Sequence, residues 1–283
     1  MIVIQLSGGL GNQMFQYALY MQLKALGRHV KIDDVTCYQD QTERVPELSV
    51  FGITYDRPTK EEMIQLTDSS MHMIDRVRRK ITGRKTKSYQ EKQFNFDPTI
   101  FALEEAYLEG CWQSEKYFEG IREQVKEAFT FQVEVDFCNW QFLQEIEQSC
   151  SVSIHIRRGD YLENDHIGLY GGICTEQYYQ EAIQLMDQQL DYPTYFVFSN
   201  DSEWAKAHFK DEKYVVVDCN SEEQGYLDLM LMSKCKHQIV ANSSFSWWAA
   251  WLNANAEKTV IAPSKWLNGR DCKDIYTDGM LAI

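Results

Sequence analysis

The sequence has no run of uncharged apolar residues near the length of about 18 that a membrane-crossing helix needs. Its amino terminus, MIVIQLSGGLGNQ, carries no basic segment ahead of an apolar stretch, so no secretory signal is expected. No two of the eight cysteines stand in CxxC spacing, which argues against a structural zinc site and against a dithiol redox centre. Positive charge is also scarce: 28 Lys and Arg face 42 Asp and Glu, for a net charge of -14. A general nucleic-acid binder must offset phosphate charge, so that class is set aside, although one local group of arginines can still hold a nucleotide. Internal repeats and low-complexity segments are absent as well.

What is present is a chain of 283 residues, 44% hydrophobic, long enough to bury one large core or two smaller ones. Several cysteines sit in apolar context and read as reduced core residues, so a reducing, cytoplasmic compartment is the simpler expectation, while the even count leaves disulfides open. Any contact with a membrane is then expected to be peripheral. The basic run Arg76, Arg78, Arg79, Lys80, Arg84, Lys85 and Lys87 reads first as a solvated helix face or loop, with contact to a membrane or an anionic glycan left open.

Residues 2–6 read as a short buried strand, broken by Ser7, Gly8, Gly9 and Gly11. Asn12 is placed as the cap of a helix running to Leu26, with Gly27 as its stop and a second strand at 30–33. Strand, glycine loop, helix, strand is the opening of a doubly wound α/β domain. Residues 36–100 are less regular, and helices are expected at 115–129 and 140–147. The second half alternates clearly, with strands at 152–157, 194–198, 214–218, 237–241 and 259–262. Helices are expected between them at 175–190, 202–209, 222–235 and 244–254, which predicts parallel βαβ units. The boundary between two α/β halves is expected near 130–150.

The segment Ser151–Tyr161 places Val152, Ile154 and Ile156 on one strand face and His155 and Arg157 on the other. Arg157 at the strand end, followed by Arg158, suits a phosphate that must be gripped by two parallel donors while charge develops on it. The alternatives are a structural Arg158–Asp160 ion pair and a hydrogen-bonded core histidine. The loop Gly8–Asn12 suits close approach of backbone to an anion at a helix start. It matches neither GxGxxG, because Met14 stands where the third glycine belongs, nor GxxxxGK[ST]. Ser199-Asn200-Asp201 reads as a helix cap. Asp228, among Tyr226, Leu227, Leu229, Met230 and Leu231, needs a partner, either the guanine edge or a group of the protein itself. Asn242, Ser243 and Ser244 open a helix after a strand and offer hydroxyls and N–H groups to phosphate. Trp247, Trp248 and Trp251 fit packing of that helix on a sheet.

GGLGNQMFQYA at 8–18, HIRRGDY at 155–161, SND at 199–201 and NSSFSWWAAWL at 242–252 occur in an order that resembles the bacterial α-1,2-fucosyltransferase family over nearly the whole chain. The resemblance implies two Rossmann-like α/β domains of glycosyltransferase B type. Residues 1–145 would form the acceptor side and 146–283 would bind GDP-fucose. It implies an inverting enzyme that moves L-fucose from GDP-β-L-fucose to O2 of a terminal β-galactose, with no divalent metal. His155 would contact the guanine nucleotide and Arg157 the β-phosphate. Asp228, sixteen residues before the phosphate-binding Ser244, would read guanine, and Asn12 with Gly11 would face the donor phosphates. Asp160, Glu163 and Asp165 are the candidate bases, with Asp160 also placed at the site. A peripheral contact with a lipid-linked glycan at the inner membrane belongs to the same set of expectations.

Two other classes compete. A nucleotide-cofactor oxidoreductase or another sugar-nucleotide enzyme fits the α/β pattern. A nonenzymatic carbohydrate-binding protein would use the seven tryptophans and sixteen tyrosines.

Overall fold

A computed structural model describes residues 1–39, 44–158 and 167–283. The chain divides into two compact units, Met1–Thr130 and Phe131–Ile283. The division comes earlier than 145/146 because the helix Phe137–Gln148, which spans that point, packs against elements of the second unit.

The first unit holds strands β1 (Ile2–Gln5), β2 (Val30–Asp33), β3 (Ser88–Gln90) and β4 (Ala106–Glu109), all parallel, in the order β2-β1-β4-β3. Ile2, Val3 and Ile4 are fully buried, as a central strand requires. Helix α1 (Leu10–Ala25) follows β1. It begins two residues before the expected cap: Gly9 is the N-cap and makes no side-chain bond, so Asn12 lies inside the first turn. At the other end Gly27, at φ +76°, donates to Lys24 O, and Arg28 N donates to Leu23 O at 3.0 Å, closing the helix where Gly27 was expected to stop it. Helices α2 (Lys60–Thr67) and α3 (Met73–Thr82) lie within the irregular stretch 36–100. Thr59 and Glu62 form a reciprocal capping box at the start of α2. The helix expected at 115–129 is two short 3-10 turns followed by α4 (Arg122–Ala128).

The second unit opens with α5 (Phe137–Gln148), capped by Asp136. Its strands are β5 (Cys150–Ile156), β6 (Pro193–Ser199), β7 (Tyr214–Val217), β8 (His237–Ile239), β9 (Val260–Ala262) and β10 (Met280–Ala282). Its further helices are α6 (Ile167–Tyr170), α7 (Glu176–Gln189), α8 (Ser202–His208), α9 (Gly225–Lys234) and α10 (Ser244–Leu252). The sheet runs β10-β9-β8-β5-β6-β7 with every pair parallel. Counted from β5, this is the order 3-2-1-4-5-6 of dinucleotide-binding domains. Val152, Ile154 and Ile156 join Tyr195, Val197, Ile239 and Ile261 in a core covered by Tyr178, Ala182 and Met186 of α7. The opposite side chains of β5, including His155, face the side of α10, since the rings of His155 and Phe245 are 5.6 Å apart. Both units are therefore Rossmann-like α/β domains, as the glycosyltransferase B type requires.

Candidate functional site

In the second unit the strand order reverses between β5 and β8, which pair directly with Ile154 opposite Ile239. Ligands of open parallel sheets bind beyond the carboxyl ends of strands at such a reversal. Arg157 and Arg158 leave the end of β5, and Asn242, Ser243 and α10 leave the end of β8. Two segments far apart in sequence thus meet at the position where a nucleotide fits. Tyr178 and Tyr179, in the first turn of α7, clamp these ends. The Tyr179 hydroxyl donates to His155 O at 2.9 Å, and that of Tyr178 donates to Val240 O at 2.6 Å and Ile261 O at 3.2 Å.

His155 is buried, and its Nδ1 has no hydrogen-bond partner among the described residues. Burial first, and the nearby Arg157 charge second, push its pKa down to about 3. The ring is therefore neutral at physiological pH and is a weak base, but it can donate or accept one hydrogen bond to a ligand. Arg157 is half-buried.

Arg158 is committed differently. Its backbone N–H donates to Asn200 Oδ1 at 2.9 Å, its guanidinium lies 4.2 Å from the centroid of the Trp204 ring, and its Nε stands 3.4 Å from Asp201 Oδ2. Asp201 also caps α8 by accepting from Trp204 N at 3.1 Å. Ser199-Asn200-Asp201 therefore caps the helix and also anchors the arginine loop. Asp160, Glu163 and Asp165 lie outside the described residues.

At the end of β8, Asn242 is buried and spends its amide on the protein. Its Nδ2 donates to Tyr170 O at 3.3 Å and Trp266 O at 3.2 Å, while its Oδ1 accepts from Cys174 Sγ at 3.4 Å. Its side chain therefore holds the turn before α10. Ser243 is the N-cap of α10 and accepts from Phe245 N at 3.3 Å. Ser244 is the first residue of α10, where helix N–H groups and the helix dipole favour an anion. Trp247, Trp248 and Trp251 are buried, and Trp247 Nε1 donates to Ile275 O at 2.7 Å, so the three serve packing.

Asp228 lies in the first turn of α9, partly buried. Asn220 Nδ2 donates to its Oδ1 at 2.7 Å and also to Asn139 Oδ1 at 2.9 Å, while Asn139 Nδ2 returns a bond to Asn220 Oδ1 at 2.8 Å. Burial pushes the Asp228 pKa up to about 7 despite the Asn220 bond. Its other oxygen has no hydrogen-bond partner among the described residues, which leaves it available to a ligand donor. Gly225 begins the same helix, and a Cβ there would stand 4.0 Å from the Phe245 ring that flanks His155. His155, Phe245, the start of α9 and the start of α10 thus form one neighbourhood. Phe245 and Asn220 were not singled out from the sequence, because an isolated ring and a loop asparagine carry no local signal.

In the first unit the strand order reverses between β1 and β4, and the glycine loop leaves β1 there. Gly8 has φ +71°, and a Cβ on it would meet Asn12 Nδ2 at 2.5 Å. Gly11 is buried in the first turn of α1. The Asn12 Oδ1 accepts from Gln113 Nε2 at 2.8 Å, beyond the end of β4. Gln16 ties the same two strand ends, donating to Gly110 O and Ser7 Oγ, each at 2.9 Å, and accepting from Ser7 N at 3.0 Å. Among the described residues no group of three or more His, Cys, Asp or Glu could hold a metal ion.

The pattern of glycosyl transferase family 11 matches residues 1–279. The chain is 32% identical over 298 residues to the O-antigen biosynthesis glycosyltransferase WbnK of Escherichia coli, covering 98% of this chain and 99% of that one. It is 31% identical over 275 residues to an alpha-1,2-colitosyltransferase of Escherichia coli, covering 94% and 92%. It is 25% identical over 257 residues to the galactoside 2-alpha-L-fucosyltransferase SEC1 of Bos taurus, covering 88% of this chain and 63% of that one. A nucleotide-type sheet with arginine and a helix start at its reversal is what a sugar-nucleotide transferase needs, and with a family match over almost its full length this chain belongs to glycosyl transferase family 11 and is a glycosyltransferase.

Proposed function

We propose that this enzyme transfers L-fucose from GDP-β-L-fucose, with inversion, to O2 of a terminal β-galactose on a glycan. The observation that carries the reading is the meeting of the β5 and β8 ends, with Arg157 on one and the Ser243–Ser244 start of α10 on the other. Similarity to a galactoside 2-alpha-L-fucosyltransferase supports the sugar and the acceptor.

In this reading the neutral His155 hydrogen-bonds the guanine nucleotide, and the unpartnered oxygen of Asp228 accepts from the guanine edge. Arg157 and the first N–H groups of α10 hold the diphosphate. The acceptor oxygen attacks C1 of the sugar as the bond from C1 to the β-phosphate oxygen breaks, and the charge left on phosphate is met by the Arg157 fork. The acceptor proton passes to a carboxylate, for which Asp160, Glu163 and Asp165 are the candidates. Arg158, held by Asp201 and Trp204, positions the Arg157 backbone. Gly11 and Asn12, on the first-unit glycine loop, contact the donor phosphates. No nucleic acid and no divalent metal take part. The enzyme works in the cytoplasm, peripheral to the inner membrane where its acceptor is lipid-linked. No helix among the described residues is long and apolar enough to cross a membrane.

A second donor, GDP-colitose, is favoured by the similarity to a colitosyltransferase over most of both chains. Colitose is fucose without its O3 hydroxyl, so a site that hydrogen-bonds O3 separates the two. Incubation of the purified enzyme with each donor and a panel of β-galactosides, followed by linkage analysis by NMR, decides between them. An α-fucoside on O2 is expected. Preferential transfer of colitose establishes the second reading, and turnover of neither donor removes both.

A further inference from the structure

Helix α3 is amphipathic the wrong way round for a globular domain. Met73, Ile74, Val77 and Ile81 fall within one arc of about 100° of the helix. That arc faces solvent, with the four side chains 81%, 84%, 51% and 78% exposed, and no residue of α3 is buried. The opposite, polar face is the one tied to the protein. Arg78 and Arg79 pair with Asp68, Arg79 also donates to Ser70 O, and the Ser70 hydroxyl donates to Asp75 Oδ2 at 2.6 Å. Asp68 is held in turn by the backbone N–H of Lys85 at 2.8 Å. The fold thus uses the polar face for attachment and presents the apolar face outward, with Met71, also largely exposed, beside it.

The charge around this face is opposite to that of the molecule. Between Arg76 and Lys87 the sequence has seven Lys and Arg and no Asp or Glu, in a chain whose net charge is -14. Arg76, Lys80, Arg84 and Lys85 are exposed and make no ion pair among the described residues. Arg76 and Lys80, one turn apart, border the apolar arc on one side, and Arg84 and Lys85 continue beyond the helix end. Apolar side chains flanked by uncommitted cations suit an interface that is apolar below and anionic above, which a phospholipid surface provides. A soluble acidic partner would match the cations and leave the four aliphatic side chains unused.

We propose that α3 lies in the surface of a membrane containing anionic phospholipid, with Ile74, Val77 and Ile81 inserted among the acyl chains and Arg76, Lys80, Arg84 and Lys85 on the headgroups. This rests on the peripheral contact proposed above and gives it a surface and a lipid chemistry. Its test is blind to the donor, so failure of one assignment leaves the other standing.

Co-sedimentation of the full-length protein with phosphatidylcholine vesicles, and with vesicles containing about a third phosphatidylglycerol, reads it directly. Binding is expected to the anionic vesicles alone, and to weaken strongly at about 1 M NaCl, where the Debye length falls to about 3 Å. The triple variant Ile74→Ser, Val77→Ser, Ile81→Ser and the double variant Arg76→Glu, Lys80→Glu should each lose about tenfold or more in partitioning. Both should melt at the wild-type temperature, because the substituted side chains face solvent. Equal sedimentation with the two vesicle types, or wild-type partitioning of either variant, overturns the proposal. So does a concentration-dependent dimer abolished by the triple variant without vesicle binding, which assigns the face to a second copy of the chain.

Discussion

At the scale of single residues, Arg157 and Asp228 carry the sharpest consequences. A guanidinium meets two phosphate oxygens in fixed geometry, whereas a lysine keeps the charge and loses one directed donor. Because the phosphate gains negative charge as the sugar departs, the loss should appear in kcat more than in GDP affinity. Arg157→Ala is expected to lose about a hundredfold in kcat, equivalent to about 3 kcal/mol, and Arg157→Lys less. Near-wild-type saturated rates for the alanine variant would remove Arg157 from the transition state. A large fall in melting temperature for both variants would assign it a structural role instead.

Asp228 has a folded pKa raised to about 7, above its unfolded value of 3.8. A raised carboxyl contributes stability that is fully present below the unfolded pKa and is lost as pH rises through the folded one. Asp228→Asn should therefore stabilise the ligand-free protein at pH 8, by about 1 kcal/mol once partial exposure is allowed for. The same variant should bind GDP far more weakly, because the amide presents a donor to guanine donors. In the wild type, GDP affinity should fall about tenfold per pH unit below pH 7, since guanine selects the ionised carboxylate. Calorimetry across pH 5.5–8 checks both. A variant that is neither more stable nor weaker for GDP would place Asp228 outside the base pocket. His155, pushed down to about 3, has the opposite sign: its contribution is present above its ordinary value of 6.5 and is lost as pH falls toward 3.

At the scale of elements, the glycine loop before α1 shows what a short motif controls. Gly8 needs a left-handed backbone, and any Cβ there displaces the Asn12 amide that Gln113 holds. Gly83 has a similar φ of +77° at the end of α3, but an added Cβ meets nothing within 4 Å. Gly83→Ala should cost about 1 kcal/mol from the backbone alone, and Gly8→Ala about 1–2 kcal/mol together with a fall in donor kcat/KM. Urea unfolding and initial rates for the pair separate strain from displacement. Equal activity in both variants would show that the Asn12–Gln113 contact has no bearing on transfer.

The second unit is legible in the sequence because its strands are apolar and its helices begin with recognisable caps at Thr175, Asp201 and Ser243. β3 and β10 are not, since each has three residues and at least two of those in each strand are exposed or β-poor, as in Ser88-Tyr-Gln90. The position of His155 follows from strand alternation, whereas Arg157 stands one residue past the end of β5. The Asn139–Asn220–Asp228 chain follows from no local pattern, because it joins two helices and a loop that only tertiary packing brings together. The bonds of Asn242 to the Tyr170 and Trp266 carbonyls are hidden for a related reason, since tertiary packing sets them and they leave no local mark in the sequence.

At the scale of the whole molecule, the difficulty is one of sign. In the proposed reading, a protein of net charge -14 binds a diphosphate and then stabilises further negative charge on it. The long-range field opposes both steps, so the attraction has to be local and poorly screened. Arg158 offers little of it, because Asp201 stands 3.4 Å from its Nε. Among the described residues, the groups assigned to this role in the proposed reading are Arg157, which also depresses the His155 pKa, and the amino-terminal end of α10. In that reading a guanidinium and helix N–H groups already aimed at the phosphate meet the charge that moves onto it, without a divalent ion. Turnover is therefore expected to survive EDTA and to change little when magnesium or manganese is added. Raising ionic strength should weaken GDP binding only modestly, because Arg157 is half-buried and is screened less than a surface charge. Complete loss of activity in EDTA, restored by one divalent ion, would show that arginine and helix alone do not supply the charge and that the unassigned carboxylates Asp160, Glu163 and Asp165 need to be tested as metal ligands.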